Sequence, residues 1–504
     1  MKEDWVECKL IDLFDISTGN TPSKNISEYY NSNDYPFYKP TDLEKGINVT
    51  YSNDFLSTKG FHASRIAVKN SVLVTCIGAT IGKTGLIKAD GGFNQQINAI
   101  HPNKYVLEKF LYFQVISAKF QQELISNSSS TTMPILNKSK FGELLFVLPP
   151  LPEQHAIVKK IEVLFSSLDN GIADLKRSQD QLKIYRQAVL KKAFEGELTK
   201  EWREKQTDLP TAEELKEGLK TIIDEALKNK NIAKGNYFPD YVNGSSGFNI
   251  PNRWNFFAIK AIVQPNKTSL KRGPFGSALK KEFFIEEGIP VYEQGHAIND
   301  EPFRHRYFIS NEKYEELKGF MAGPNDLIIS CSGATLGRIC HLPENADTGI
   351  INQALLKISL NEKIILHKYF IIMFRSEIFQ RLIFEKSLGT AMPNMVGMNE
   401  LKDIAIPIPS IQEQAQIVKE IEARLSVCDA VEKQIQESLN QAEALRQSIL
   451  KKAFEGTLLT EEEITSCKQE PDYEPASVLL AKIKAEKEAN KPAKKKTTKK
   501  KTTE

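Results

Sequence analysis

The sequence has six cysteines, Cys8, Cys76, Cys331, Cys340, Cys428 and Cys467, but no Cys-x-x-Cys pair. That absence excludes a zinc ribbon or a dithiol redox centre, and scattered thiols of this kind predict a reduced, cytoplasmic protein. No His-Glu-x-x-His motif and no Cys/His cluster occurs, so no bound metal is expected. No stretch approaches the 18 or so apolar residues of a membrane span. The start, Met1-Lys2-Glu3-Asp4-Trp5, lacks the apolar core of a signal peptide. Charge of one sign is also lacking: the net charge is +3, so any surface for nucleic acid must be local. Catalytic signatures are missing as well. A nucleic-acid methyltransferase needs an Asn/Asp-Pro-Pro-aromatic motif, whereas Pro149-Pro150 lies between Leu148 and Leu151. Gly78-Ala-Thr-Ile-Gly82-Lys83-Thr84 is one residue short of a phosphate-binding loop. These absences predict a chain that binds and positions rather than reacts.

What is present is a repeat, the pattern to seek first in a long chain. Residues 190–196 and 450–456 both read Leu-Lys-Lys-Ala-Phe-Glu-Gly. At the same offset Glu153-Gln154 matches Glu413-Gln414, Ile157-Val158-Lys159 matches Ile417-Val418-Lys419, and Arg186-Gln187 matches Arg446-Gln447. About 21 of the 48 positions in 151–198 agree with 411–458 without a gap, far above chance. Upstream the likeness thins to anchors. Cys76-Ile-Gly-Ala-Thr-Ile-Gly-Lys83 echoes Cys331-Ser-Gly-Ala-Thr-Leu-Gly-Arg338, Asn94-Gln95 echoes Asn352-Gln353, and Met133-Pro134 echoes Met392-Pro393. Trp5 and Trp254 open the two halves. The unit is therefore a divergent domain followed by a well-kept segment, present twice.

The well-kept segment reads as a long helix. Val158, Ile161, Phe165, Leu168, Ile172, Leu175, Leu182 and Val189 step by threes and fours, as do Val418, Ile421, Leu425, Cys428, Ile435, Leu439, Ala442 and Ile449. Prolines 149, 150, 152, 407 and 409 precede the helices, and Gly196 and Gly456 stand where C-caps belong. About 42 residues make a rod of roughly 60 Å. One such stripe also suits a bundle core helix, but two copies this long favour pairing with one another, with Gln179, Arg186, Glu432 and Arg446 as polar seam positions that set register. The divergent segments read as mixed α/β, with β-rich runs at 71–77 and 326–331 and helical runs at 106–125 and 362–385. Residues 206–246 read as a polar linker with a capped helix start at Thr211/Glu214. Residues 461–504 read as a disordered lysine-rich tail with one helical stretch near 475–490, ending in Lys494–Lys501.

Leu148-Pro-Pro-Leu-Pro-Glu-Gln154, Ile408-Pro-Ser-Ile-Gln-Glu-Gln414 and the two Lys-Ala-Phe-Glu-Gly ends resemble the borders of the conserved helical regions in specificity subunits of type I restriction–modification enzymes. The order of domains over residues 1–460 resembles that family too. The resemblance implies an α/β fold of two target-recognition domains separated by two long antiparallel coiled-coil helices. The parts are a first recognition domain (1–150), a central helical spacer (151–205), the linker (206–246), a second recognition domain (247–408), a C-terminal spacer (409–460) and the tail (461–504). It further implies a non-catalytic subunit that reads a bipartite site in double-stranded DNA. The implied partners are modification subunits, two of them, and motor-nuclease restriction subunits, with S-adenosylmethionine, ATP and magnesium held by those partners. The DNA contacts expected are Thr80, Lys83, Thr84, Thr335, Arg338, Lys271 and Arg272, on turns and a basic dipeptide whose alternative role is purely structural. The helix and subunit interface expected is Val158, Ile161, Phe165, Leu168, Val418, Ile421, Leu425 and Ile435. Two other functions fit the pattern: a coiled-coil adaptor with two protein-binding heads, and the specificity module of a different restriction system.

Overall fold

The computed structural model describes residues 2–129, 133–232, 248–275, 277–333, 335–384 and 395–489. Met392-Pro393, most of the linker and the lysine run 494–501 lie outside them. The chain divides into two units, Met1–Lys176 with Gln436–Glu504 and Arg177–Ile435. Each holds one α/β head together with parts of both long helices, which span Leu151–Phe194 and Ile411–Phe454. At 1.5 Å per residue each 44-residue helix is about 66 Å long.

The heads share one topology. In the first, a four-stranded antiparallel sheet has the order Ile16–Thr18, Ile97–Ile100, Val72–Thr75, Thr84–Leu86. A second sheet has the order Asp54–Leu56, Tyr35–Tyr38, Gly91–Phe93, Ile66–Ala67, and its middle pair is parallel. The other head repeats this with Leu270–Arg272, Leu355–Ser359, Asp326–Ser330, Ile339–His341, and with Phe308–Ile309, Ile289–Tyr292, Gly349–Ile351, Met321–Ala322. Each head closes on itself. Val6–Lys9 pairs antiparallel with Leu145–Leu148, and Asn255–Ala258 with Ala405–Ile408, so both ends of the module meet at the start of a long helix. The helical runs expected at 106–125 and 362–385 are each two helices, Glu108–Val115 with Ala118–Ser126 and His367–Arg375 with Glu377–Phe384. The break falls at a serine in both copies. Ser117 Oγ donates to Gln114 O at 2.7 Å and Ser376 Oγ to Met373 O at 2.6 Å, and each serine then caps the next helix.

The helices are antiparallel within each unit. In the first, Ile157, Val158 and Ile161 share a core with Ile449, Leu450 and Ala453. In the second, Ile417, Val418 and Ile421 share one with Ala193 and Phe194. The protected positions follow the expected three-four stepping from Ile161 to Val189. Two polar seam residues make equivalent clasps: Arg186 with Asp429 (2.7 Å) and Glu432 (2.8 Å), and Arg446 with Asp169. Such exposed pairs stabilise by about 1 kcal/mol or less, so their effect is on register rather than on stability.

The repeated Lys-Ala-Phe-Glu-Gly has a physical reason at its alanine, phenylalanine and glycine. Ala193 and Ala453 are fully buried where a head lies against the helix. The Phe194 ring meets Tyr369 edge-on at 5.6 Å, and Phe454 meets Phe110 at 5.4 Å. Gly196 (φ 73°) and Gly456 (φ 80°) take the left-handed conformation that ends the helix.

Two expectations need correcting. Residues 461–489 are not a disordered tail: helix Ala476–Ala489, at the helical stretch expected near 475–490, and a second helix, Glu461–Lys468, belong to the first unit, with Leu479 and Ile483 in its core. Lys487 Nζ donates to Ile11 O (2.8 Å) and Phe14 O (2.7 Å), and Ala476 N to Asp4 O (3.0 Å). The segment after residue 206 is likewise not simply a linker. The capping box at Thr211/Glu214 opens a helix, Ala212–Lys228, whose Leu219, Ile223 and Ala226 are buried in the second unit. Ala212, Leu215 and Leu219 stand at the same spacing as Ala476, Leu479 and Ile483, so the repeat runs on through these docking helices. Ile483→Ala is therefore expected to destabilise the first unit by about 2–5 kcal/mol, as for other buried aliphatic truncations. An unchanged urea midpoint for the purified variant would contradict that docking.

Candidate nucleic-acid interface

The two glycine turns expected to touch DNA are closed by equivalent backbone hydrogen bonds. Gly82 N donates to Thr75 O at 2.8 Å and Gly337 N to Ser330 O at 2.9 Å, while Thr75 N and Ser330 N return bonds to Lys83 O and Arg338 O. Gly78, Gly82, Gly333 and Gly337 all have φ between 79° and 96°, which explains why the glycines persist in both copies. The tips differ in what they offer. Arg338 is exposed. Lys83 is three-quarters covered and its Nζ is 2.6 Å from Glu44, so its charge is already met within the head. Thr84 is buried and donates to Gly82 O at 2.9 Å, so it shapes the turn and is not a contact residue. Thr80 is exposed and Thr335 half-buried, each accepting through its carbonyl from the basic residue three positions on. Arg272 is exposed on the edge strand Leu270–Arg272, and Lys271 lies over the Phe320 ring at 5.1 Å.

The interface residues expected on the helices fall in the seam. Val158, Ile161, Val418, Ile421 and Ile435 are buried, while Phe165, Leu168 and Leu425 are half-covered against the same cores. Phe165 stands edge-on to Phe113 at 5.7 Å and carries the Arg446 guanidinium at 4.8 Å. They therefore join head to helix as well as helix to helix.

Sequence reasoning missed what the Glu-Gln pair does. Glu153 is almost fully buried and accepts from the Trp5 indole at 2.9 Å, with Lys2 Nζ at 3.5 Å. Glu413 is buried in the same way, accepting from the Trp254 indole (2.9 Å) and Thr199 Oγ1 (2.7 Å) and pairing with Arg203. Gln154 accepts from Leu107 N at 3.0 Å and donates to Tyr105 O (3.2 Å) and Pro149 O (3.0 Å). Gln414 repeats this with Leu366 N (2.8 Å), Ile364 O (2.8 Å) and Pro409 O (3.0 Å). The signal was in the letters: a Trp at the opening of each half and an invariant Glu-Gln pair at each helix start.

Duplicated α/β heads, each clamped to a long helix, define a modular recognition protein, and comparison with known proteins gives its kind. The family described as Type I restriction modification DNA specificity domain matches residues 2–177 and 251–441. The chain belongs to that family. It is 26% identical over 491 residues to the type I restriction enzyme EcoBI specificity subunit of Escherichia coli, covering 97% of this chain and 93% of that one. The EcoDI specificity subunit, also from Escherichia coli, is 24% identical over 97% of this chain and 96% of its own. Among solved structures, a chain of a type I R-M system has a TM-score of 0.61 at 17% identity, covering 91% of this chain and 99% of its own. The HsdS subunit of Thermoanaerobacter tengcongensis has a TM-score of 0.50 at 16% identity, with 91% and 98% covered. At that identity the structures speak for the fold alone.

For duplex DNA the geometry predicts a split between the two tips. Arg338→Ala should flatten the salt dependence of DNA affinity by about one unit of slope, as for one lost phosphate contact. Lys83→Ala should leave the slope unchanged, because Glu44 already neutralises that lysine. Equal slopes for both variants, measured by titration in increasing salt, would contradict this assignment.

Proposed function

We propose that this chain is the DNA-reading subunit of a type I restriction–modification complex of the cytoplasm, that it supplies no catalytic group, and that each head reads one half of a bipartite duplex site. The observation that carries the reading is the contrast within the repeat: backbone register and clamps are kept, while the side chains at equivalent exposed places differ. A protein that reads two unlike half-sites needs that combination, because sequence is discriminated by side chains at base edges and not by the scaffold.

In this reading the long helices space the heads and carry two modification subunits, to which restriction subunits are added. S-adenosylmethionine, ATP and magnesium belong to those partners. Docking is supported by apolar side chains exposed on the helices, Val163 (62%), Ile184 (70%) and Val427 (64%), which neither head nor partner helix covers. Among the described residues no helix is long and apolar enough to cross a membrane.

Because each head is closed by pairing of its own first and last strands, it is exchangeable. Replacing residues 1–148 with the matching head of a relative should change one half of the methylated motif in a host carrying the modification subunits, and leave the other half as it was. A change in both halves, or in neither, read by genome-wide mapping of methylated bases, would overturn the proposal.

A further inference from the structure

Each head has a concavity at the same point of its fold. In the second head, Ile289–Tyr292 runs parallel to Gly349–Ile351, and beyond their ends lies a space of about 270 Å3 lined by Glu293, His296, Arg304, Arg306 and Asn352. In the first, Tyr35–Tyr38 runs parallel to Gly91–Phe93, and the space beyond is about 760 Å3, lined by Thr21, Lys39, Asp54, Asn94 and Gln95. Crevices beyond the carboxyl ends of parallel strands are common ligand sites.

The walls are built alike. Asn94 N donates to Tyr38 O at 3.1 Å, and Asn352 N to Tyr292 O at 2.9 Å. Each asparagine then accepts from the backbone two residues on, at 3.1 and 3.0 Å. A glycine turn passes beside each asparagine, and a Cβ on Gly19 or Gly273 would collide with the Asn94 or Asn352 carbonyl oxygen. Lys39 N donates to Asp42 Oδ2 at 2.8 Å where Glu293 N donates to His296 Nδ1 at 3.0 Å.

The linings are unlike. Asp42 uses its second oxygen on Asn53 N (3.1 Å). His296 Nδ1 lies 3.0 Å from Glu293 N and 3.2 Å from Glu293 O, while its Nε2 is buried and has no hydrogen-bond partner among the described residues. His296 itself is 2% exposed. A buried, unanswered ring nitrogen on the wall of a cavity calls for a partner from outside. Arg304 and Arg306 are exposed beside it, and Phe275, the counterpart of Thr21 on the glycine turn, is 91% exposed. In the first head Gln95 is exposed, with its carbonyl oxygen oriented by Thr21 Oγ1 at 2.6 Å.

We infer that these two concavities receive the base edges of duplex DNA, the first through Gln95 (the Lys39 ammonium there is held by Asp54 at 2.6 Å), the second through His296 and Arg306 with Phe275 as the apolar contact. The inference deepens the proposed function and rests on it. Amide and guanidinium groups discriminate base edges, an unpartnered imidazole nitrogen can take a further hydrogen bond, and an exposed aromatic ring on the glycine turn that passes Asn352 suits contact with a thymine methyl or an opened base step. Because the walls are held by backbone bonds, these side chains differ between the heads without disturbing the fold.

The test uses the complex assembled with its modification subunits. Gln95→Ala and Arg306→Ala are compared with the unaltered chain for methylated motif, duplex affinity, assembly and melting temperature. Both residues are exposed, so assembly and melting should hold. Each variant should lose discrimination at a position in one half-site only, by about 5- to 150-fold, the range for one good base contact, and the two variants should affect opposite halves. Loss of methylation together with loss of duplex affinity, with assembly intact, also supports the site. An unchanged motif at full affinity, or a defect in assembly alone, overturns it. If head exchange redirects the motif while these variants do not, the concavities are wrong and the proposed function stands. If head exchange itself leaves the motif unchanged, the proposed function fails.

Discussion

A carboxylate buried against an indole sets the terms for the rest of this structure. Glu153 with Trp5, and Glu413 with Trp254, are ionisable groups taken almost out of water, which is costly unless hydrogen bonds or charges answer them. The answer comes from the far end of the same head: Trp5 and Trp254 lie at the chain's entry to each head, while Glu153 and Glu413 lie at its exit into a helix. The adjacent glutamine, with three hydrogen bonds to backbone, fixes the start of helix Glu108–Val115 or His367–Arg375 to the same point. The head is thus a closed loop of chain fastened at one place, and its surfaces are free to diverge.

The other constants follow from that fastening. A head held on the first turn of one helix comes against the last turns of the antiparallel one, and there the close approach admits alanine, an aromatic ring and a left-handed glycine. The docking helices 212–228 and 476–489 complete the two cores in the same way. Under the proposed function this arrangement separates frame from reader. The frame is specified by buried, mutually dependent contacts, the reader by exposed side chains on fixed backbone.

Much of the frame was legible in the sequence because its determinants are periodic or local. The seam from Val158 to Val189, the cap glycines and the Thr211/Glu214 box each declare themselves within a few residues. What was not legible depends on distant partners. Lys83 reads as a free basic tip until Glu44 is brought to it, and Thr84 as an available hydroxyl until the turn buries it. Within 461–489 the helix near 475–490 was legible, but its docking was not, because charge dominates the composition. Its few apolar residues, Leu479 and Ile483, carry the docking, and only their match to Leu215 and Leu219 could have marked it. Ser117 and Ser376 broke helices that hydrophobic pattern alone would have run together.

The claim on which this account turns is that the Trp–Glu pair is an energetic link between head and helix rather than a by-product of packing. A double-mutant cycle tests it most directly: Trp254→Phe and Glu413→Gln, singly and together, with urea unfolding of the second unit followed by its protection from proteolysis. Each single change should cost about 1–3 kcal/mol, the range for a hydrogen bond to a buried charged group. The double variant should lose less than the sum by more than about 0.5 kcal/mol, the margin within which independent sites add. Strict additivity would contradict the link and return the fastening of the heads to apolar packing alone.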